Sequence, residues 1–153
     1  MNEKEPPATT PFSINPLVVE FAVFDWRKSL EFYTDLLGFK VVYDRRDEGF
    51  VFLRLGGAQV MFYQANLERN LVTDAASLKP PLGQGMNLQI QVEAVEPLIR
   101  ALTQARVALT LAPEERWYRM GNMSLGVRQF AVADPDGYLL RFSQCIGSRA
   151  VNP

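Results

Sequence analysis

The chemistry open to this chain is bounded first by what it lacks. It has no histidine and one cysteine, Cys145. Triads of the Ser-His-Asp and Cys-His types cannot form, and imidazole-held zinc, iron, nickel or copper is excluded. Cys145 has no histidine to activate it and reads as an incidental thiol. Carboxylates can still hold a hard cation, but only where several converge. The close pair Asp134 and Asp136 falls in Asp134-Pro135-Asp136-Gly137, where Pro135 fixes φ and Gly137 can take a positive φ, so a turn explains both. Gly56-Gly57 reads as a hairpin turn. Gly83-Gln84-Gly85 has no strand before it and no helix after it, so it is no phosphate loop. What remains are Glu20, Arg54, Gln59, Asn87, Gln89, Gln91, Gln129 and Arg141, with Phe50, Phe52, Tyr63, Trp117 and Tyr118 as flat surfaces. Directional polar groups beside aromatic faces suit the recognition of a small molecule.

The elements that would position these residues come as a repeat. Val19-Glu20-Phe21-Ala22-Val23 alternates as a half-buried strand and runs into a helical pattern from Asp25, a fitting N-cap, to about Leu37, with Gly38 as its stop. Leu88-Gln89-Ile90-Gln91-Val92 alternates alike and runs into a helix to about Gln104. Val23 and Val92 lie 69 residues apart, close to half the chain. In the first repeat, Phe39 to Arg45 is a strand, and Phe50 to Leu55 pairs with Gln59 to Gln64 around Gly56-Gly57. In the second, Val107 to Leu111 is a strand and Pro113 to Leu125 is irregular. A final hairpin then pairs Gly126 to Ala133 with Tyr138 to Ser143. The expected organisation is a flexible tail over 1–15, a first βαβββ module over 16–66, a linker over 67–85, a second module over 86–145 and a C-terminal tail over 146–153.

Composition removes other classes. With 153 residues, 48% of them hydrophobic, the chain can bury one good core. A net charge of −1 with interspersed signs offers no basic stripe for nucleic acid. The apolar runs are too short to cross a membrane. The first eleven residues are polar and rich in Pro and Thr, with no apolar leader core, and a lone cysteine fits a reducing compartment, so a cytoplasmic protein is expected.

Two segments, Ser29-Leu30-Glu31-Phe32-Tyr33-Thr34-Asp35-Leu36-Leu37-Gly38-Phe39 and Arg128-Gln129-Phe130-Ala131-Val132-Ala133-Asp134-Pro135-Asp136-Gly137-Tyr138, sit in corresponding modules. In this order and spacing, the chain from roughly Leu17 to Ser143 resembles the vicinal oxygen chelate superfamily, which includes glyoxalases, extradiol dioxygenases and bleomycin-resistance proteins. The resemblance implies an α+β fold, two βαβββ modules whose curled mixed sheets surround a cavity, and a homodimer. It also puts the enzymes' four metal-ligand positions on Val18, about Met61, Asn87 and Arg141. Two of these are apolar, one is a neutral amide and one carries a fixed positive charge that repels a cation. The departure agrees with the metal-free, bleomycin-resistance-like branch, whose members sequester a planar cationic antibiotic in grooves shared by a dimer.

Strand alternation assigns the faces. Val19, Phe21, Val23, Val60, Phe62, Leu88, Ile90, Val92, Leu140 and Phe142 pack, while Val18, Glu20, Met61, Tyr63, Asn87, Gln89 and Arg141 turn to the presumed cavity. The candidate ligand-binding set is Glu20, Phe52, Arg54, Tyr63, Asn87, Gln89, Trp117 and Arg141, with no catalytic residue, no metal and no cofactor. The expectation is a non-catalytic small-molecule-binding protein. The alternative is a glyoxalase- or dioxygenase-type enzyme of the same superfamily, or a metal-free one with Glu20 as base. Arg54 and Arg141 beside the single carboxylate Glu20 suit an anionic or zwitterionic aromatic ligand better than a cationic drug. Other readings stay open: Glu20 and Arg141 can pair with each other, the Asn87-Gln89-Gln91 row can be a wet sheet face, and Trp117 with Tyr118 can meet a dimer partner.

Overall fold

A computed structural model describes residues 12–65 and 75–151; the expected tail up to Pro11 and residues 66–74, which include the first part of the linker expected over 67–85, fall outside them. The first module runs β1 (Val19–Val23), α1 (Trp26–Glu31, prolonged by a π-helical turn Phe32–Leu36), β2 (Lys40–Arg45), β3 (Phe50–Leu55) and β4 (Ala58–Gln64). The second runs β5 (Asn87–Gln91), α2 (Glu96–Gln104), β6 (Leu111–Met120), β7 (Met123–Ala133) and β8 (Leu139–Ala150). Each module makes its own four-stranded mixed sheet, ordered β1-β4-β3-β2 and β5-β8-β7-β6. In both, the first strand pairs parallel with the last and the other pairings are antiparallel. This is the α+β fold of two βαβββ modules that the resemblance implied. Among the described residues no helix is long and apolar enough to cross a membrane.

Helix α1 starts where the sequence provides a cap. The Asp25 carboxylate accepts from the Arg27 and Lys28 amides, satisfying two donors that the first turn leaves unpaired. Gly38 ends the helix at φ +74°, where a side chain would be strained.

The alternating apolar residues all reach one core. Phe21, Val23, Val51, Leu53, Val60 and Phe62 of the first sheet are buried in the same cluster as Ile90, Phe130, Val132, Leu140 and Phe142 of the second, with Tyr33 and Leu102 from the helices. The two sheets therefore turn their apolar faces inward on the helices. Their polar faces turn away from that core.

The modules are joined at the Asp-Pro-Asp-Gly turn. Asp134 accepts from the amides of Asp136 and Tyr138, both at 2.9 Å, which is the turn read from the sequence. The same turn also bonds the first module. The Tyr33 hydroxyl donates to Asp134 Oδ2 at 3.0 Å, the Tyr138 hydroxyl donates to the Ala22 carbonyl at 2.9 Å, and Asp136 accepts from the Phe24 amide at 3.4 Å and the Ser29 hydroxyl at 3.5 Å. Burial pushes Asp134 up to about 6 and Tyr138 up to about 12, and raises Asp136 and Tyr33 as well.

Three expectations are corrected. The stretch Pro113 to Leu125, expected to be irregular, is mostly β6 and the start of β7, hinged at Gly121 (φ +63°). The expected strand Val107 to Leu111 contributes only Leu111, where β6 begins. The C-terminal tail expected from residue 146 is strand, because β8 continues to Ala150 opposite Met123. In the two strands that went unread, β6 and the end of β8, both faces are largely exposed, so no apolar–polar alternation marks them.

Candidate functional site

The outward faces of the two sheets carry most of the sequence-selected residues, in two separate groups. On the first module, Glu20 is exposed and opposite Met61 in register, two residues from the Ala22–Tyr63 pairing and so on the same face. Tyr63 is half-buried, and burial, then the nearby Glu20 carboxylate, raise its phenol. Arg54 is exposed opposite Gln59. A register shift between Val41 and Tyr43 brings Tyr43 opposite Phe52, and the two rings stack with centroids 5.2 Å apart at 19°. Phe50 lies 5.6 Å from Tyr43, and the Arg45 guanidinium sits 3.9 Å over Phe50.

Phe52 is thus not an open platform. It is 1% exposed, covered by Tyr43 and by Phe12, whose ring stacks on Tyr43 at 5.5 Å and lies 5.9 Å from Phe52. The chain beyond Phe12 is held by the same face. The Gln59 side chain accepts from the Asn15 amide and donates to the Ser13 carbonyl, both at 2.7 Å, and Asn15 Nδ2 donates to the Gly57 carbonyl at 2.7 Å. A cleft of about 660 Å³ remains alongside, lined by Phe12, Val41, Val42, Arg54, Gly57 and Gln59 among others. Residues 12–15, expected to belong to a free tail, are therefore fixed.

On the second module, Gln89, Tyr118, Leu125, Val127, Gln129, Arg141 and Ser143 line a cleft of about 190 Å³. Gln89 and Arg141 face each other in register, and Arg141 Nη2 donates to Gln89 Oε1. Arg141 Nε is buried without a hydrogen-bond partner. Gln129, 2% exposed, donates to the Tyr118 hydroxyl at 2.7 Å and to Glu114 Oε1 at 2.9 Å. That amide, with Arg116 behind it, holds the Glu114 carboxyl below its usual range. Asn87 is exposed at the start of β5, opposite Leu139. A larger cleft, of about 700 Å³, lies between the β3–β4 turn and the start of α2, lined by Gly56, Gly57, Val92, Pro97, Leu98 and Cys145 among others. It is roomier but offers few directional side-chain groups, so it is the poorer recognition site.

The sequence-selected residues do not all meet. Glu20, Phe52, Arg54 and Tyr63 belong to one outward face and Asn87, Gln89 and Arg141 to the other. Glu20 and Arg141 form no ion pair; Arg141 turns to Gln89. Trp117 alternates with Tyr118 on β6, so only one of them can line the cleft, and it is Tyr118. The Trp117 ring lies against Gly126, where an added Cβ would come within 2.8 Å of it, and the Arg149 guanidinium covers it at 4.0 Å. Gln129 and Ser143 complete the cleft. Their outward parity was readable from the last hairpin; Tyr118 was concealed by the unrecognised strand β6.

The family's metal positions were tested on their donors. Val18 is aliphatic, Met61 offers a thioether, Asn87 a neutral amide and Arg141 a cation already bonded to Gln89. That set does not fit a divalent cation. Among the described residues no three Cys, Asp or Glu side chains converge.

The family model described as the Glyoxalase/Bleomycin resistance protein/Dioxygenase superfamily matches residues 14–142. The chain belongs to that superfamily. Its fold is similar to a virulence protein from Salmonella typhimurium, at 21% identity and a TM-score of 0.62 over 87% of this chain and 98% of the other. It is also similar to TioX from Micromonospora sp. ML1, at 20% identity and a TM-score of 0.61 over 84% and 96%. A superfamily member from Vibrio splendidus 12B01 is 38% identical over 83% of this chain and 95% of its own, with a TM-score of 0.38. No curated protein matches the chain.

Proposed function

We propose that this superfamily member is a non-catalytic, metal-free, bleomycin-resistance-like binding protein for a small aromatic molecule, acting as a homodimer. The observation that carries the reading is the Gln89–Arg141–Gln129–Tyr118 cleft, which contains Arg141, one of the four positions where the superfamily's enzymes would hold their metal. A guanidinium with an unsatisfied buried Nε, backed by amides and a phenol, recognises a carboxylate or similar anion, since charge-assisted hydrogen bonds are the strong ones. The cleft's volume of about 190 Å³ is below the several hundred Å³ usual for a drug-sized ligand. That shortfall supports a groove shared between copies: the outward face of the first module in one protomer set beside the outward face of the second module in its partner. It also argues against a bulky cationic glycopeptide and for an anionic or zwitterionic ring compound.

The test is isothermal titration with 1-naphthoate and with bleomycin, beside metal analysis of the purified protein. Naphthoate is expected to bind at least tenfold more weakly to Arg141→Gln than to the parent, and bleomycin to give less heat than naphthoate. Stoichiometric, tightly held divalent metal would overturn the reading, as would naphthoate affinity indifferent to Arg141.

A further inference from the structure

Phe12 is the outermost ring of a stack whose inner members belong to the sheet. Tyr43 and Phe52 are fixed by strands β2 and β3, whereas Phe12 is delivered by a segment with no regular secondary structure. The bonds that hold the segment have a definite pattern. The Gln59 side-chain amide meets the Ser13 carbonyl with its donor and the Asn15 amide with its acceptor, as a neighbouring strand would, and Asn15 adds a bond to the Gly57 carbonyl. The face therefore holds an aromatic ring followed by a carbonyl and an N–H from the two peptide units that flank Ile14, and all of these are supplied by the chain itself. Arg54, exposed beside Gln59 in the same cleft, takes part in none of these contacts.

We infer that residues 12–15 are a displaceable strap on a binding site for an uncharged aromatic ring bearing a carboxamide, and that such a ligand enters only when Phe12 leaves. The ring of the ligand replaces Phe12 on Tyr43, and its amide takes the two Gln59 bonds. The occupied face and the open face exclude each other sterically, so the strap lowers apparent affinity by the fraction of molecules in which it is seated. This rests on the reading of the first module's outward face as half of a ligand groove. Its readout lies at Tyr43 and Gln59, so it can fail while the Arg141 test succeeds, and the reverse.

The probe is N-acetylphenylalaninamide, titrated into the full-length chain and followed by NMR shifts of the Tyr43 ring and the Gln59 side-chain amide. Phe12→Ala is expected to bind it at least fivefold more tightly than the parent. Asn15→Ala, which keeps the ring but loses one anchor, should fall between the two. Adding Gln59→Ala to Phe12→Ala should abolish the gain. Equal affinity of parent and Phe12→Ala, no saturable binding to either, or shifts confined to residues away from Tyr43 and Gln59 would each overturn the inference; retained chemical-shift dispersion in Phe12→Ala shows that the variant is folded.

Discussion

Asp134 illustrates how one side chain can serve a local and a distant purpose. As a turn residue it needs only to accept the amides of Asp136 and Tyr138, and the sequence Asp-Pro-Asp-Gly states that much. Its second oxygen receives the Tyr33 hydroxyl from the other module, a contact between residues 101 positions apart that no local pattern announces. Burial raises the carboxyl from its ordinary 3.8 to about 6. The folded state thus binds the proton more tightly than the unfolded chain. The stabilisation associated with that proton is complete below the unfolded value and is lost as pH rises through the folded one. Relative to Asp134→Asn, the parent is expected to gain up to roughly 3 kcal/mol of stability between pH 7.5 and pH 4, measured by denaturant melts of both proteins across that range. A flat difference would mean that the carboxyl titrates normally. Phe12 marks the limit of residue-level reading: its partners Tyr43 and Phe52 lie far along the chain, and a single phenylalanine in a Pro- and Ser-containing segment carries no periodicity.

At the level of elements, legibility followed burial. Strands β1, β4, β5 and the start of β8 present one face to the core and one to solvent, so alternation assigned Glu20, Tyr63, Gln89 and Arg141 to the outward side correctly. Strand β6 is an edge strand with polar residues on both faces, and alternation there is silent. The choice between Trp117 and Tyr118 depended on its register with β7, which is why the sequence selected the wrong neighbour for the Arg141 cleft. The β7–β8 turn makes a sharper demand. Gly137 adopts φ +96°, and a Cβ there would come within 2.5 Å of Pro81 Cβ and 2.6 Å of its Cα. The clash is with backbone, so relief requires the turn or the 80–81 segment to move. Gly137→Ala is expected to cost at least about 2 kcal/mol in a thermal or urea melt. Gly57→Ala, where an added Cβ meets nothing within 4 Å, should cost well under half of that.

At the scale of the whole molecule, one core gathers the apolar faces of both sheets, and each sheet keeps a polar face turned away from it. The repeat in the sequence foretold two modules; it did not foretell that Glu20 and Arg141 would belong to separate groups, one on each sheet. In the proposed dimer each groove draws one half from each protomer. Arg54→Ala and Arg141→Gln chains, each deficient alone, should therefore regain 1-naphthoate binding in about half of the grooves of a mixed dimer, measurable after subunits are unfolded and refolded together; no regain on mixing would place each groove within a single chain. The consequence reaches heredity. In such a dimer a gene copy altered in one half would still lend its sound half to a normal partner, and each mixed pair would keep one groove. A copy altered in both halves would leave every mixed pair with no intact groove, and so would remove more binding than its own share.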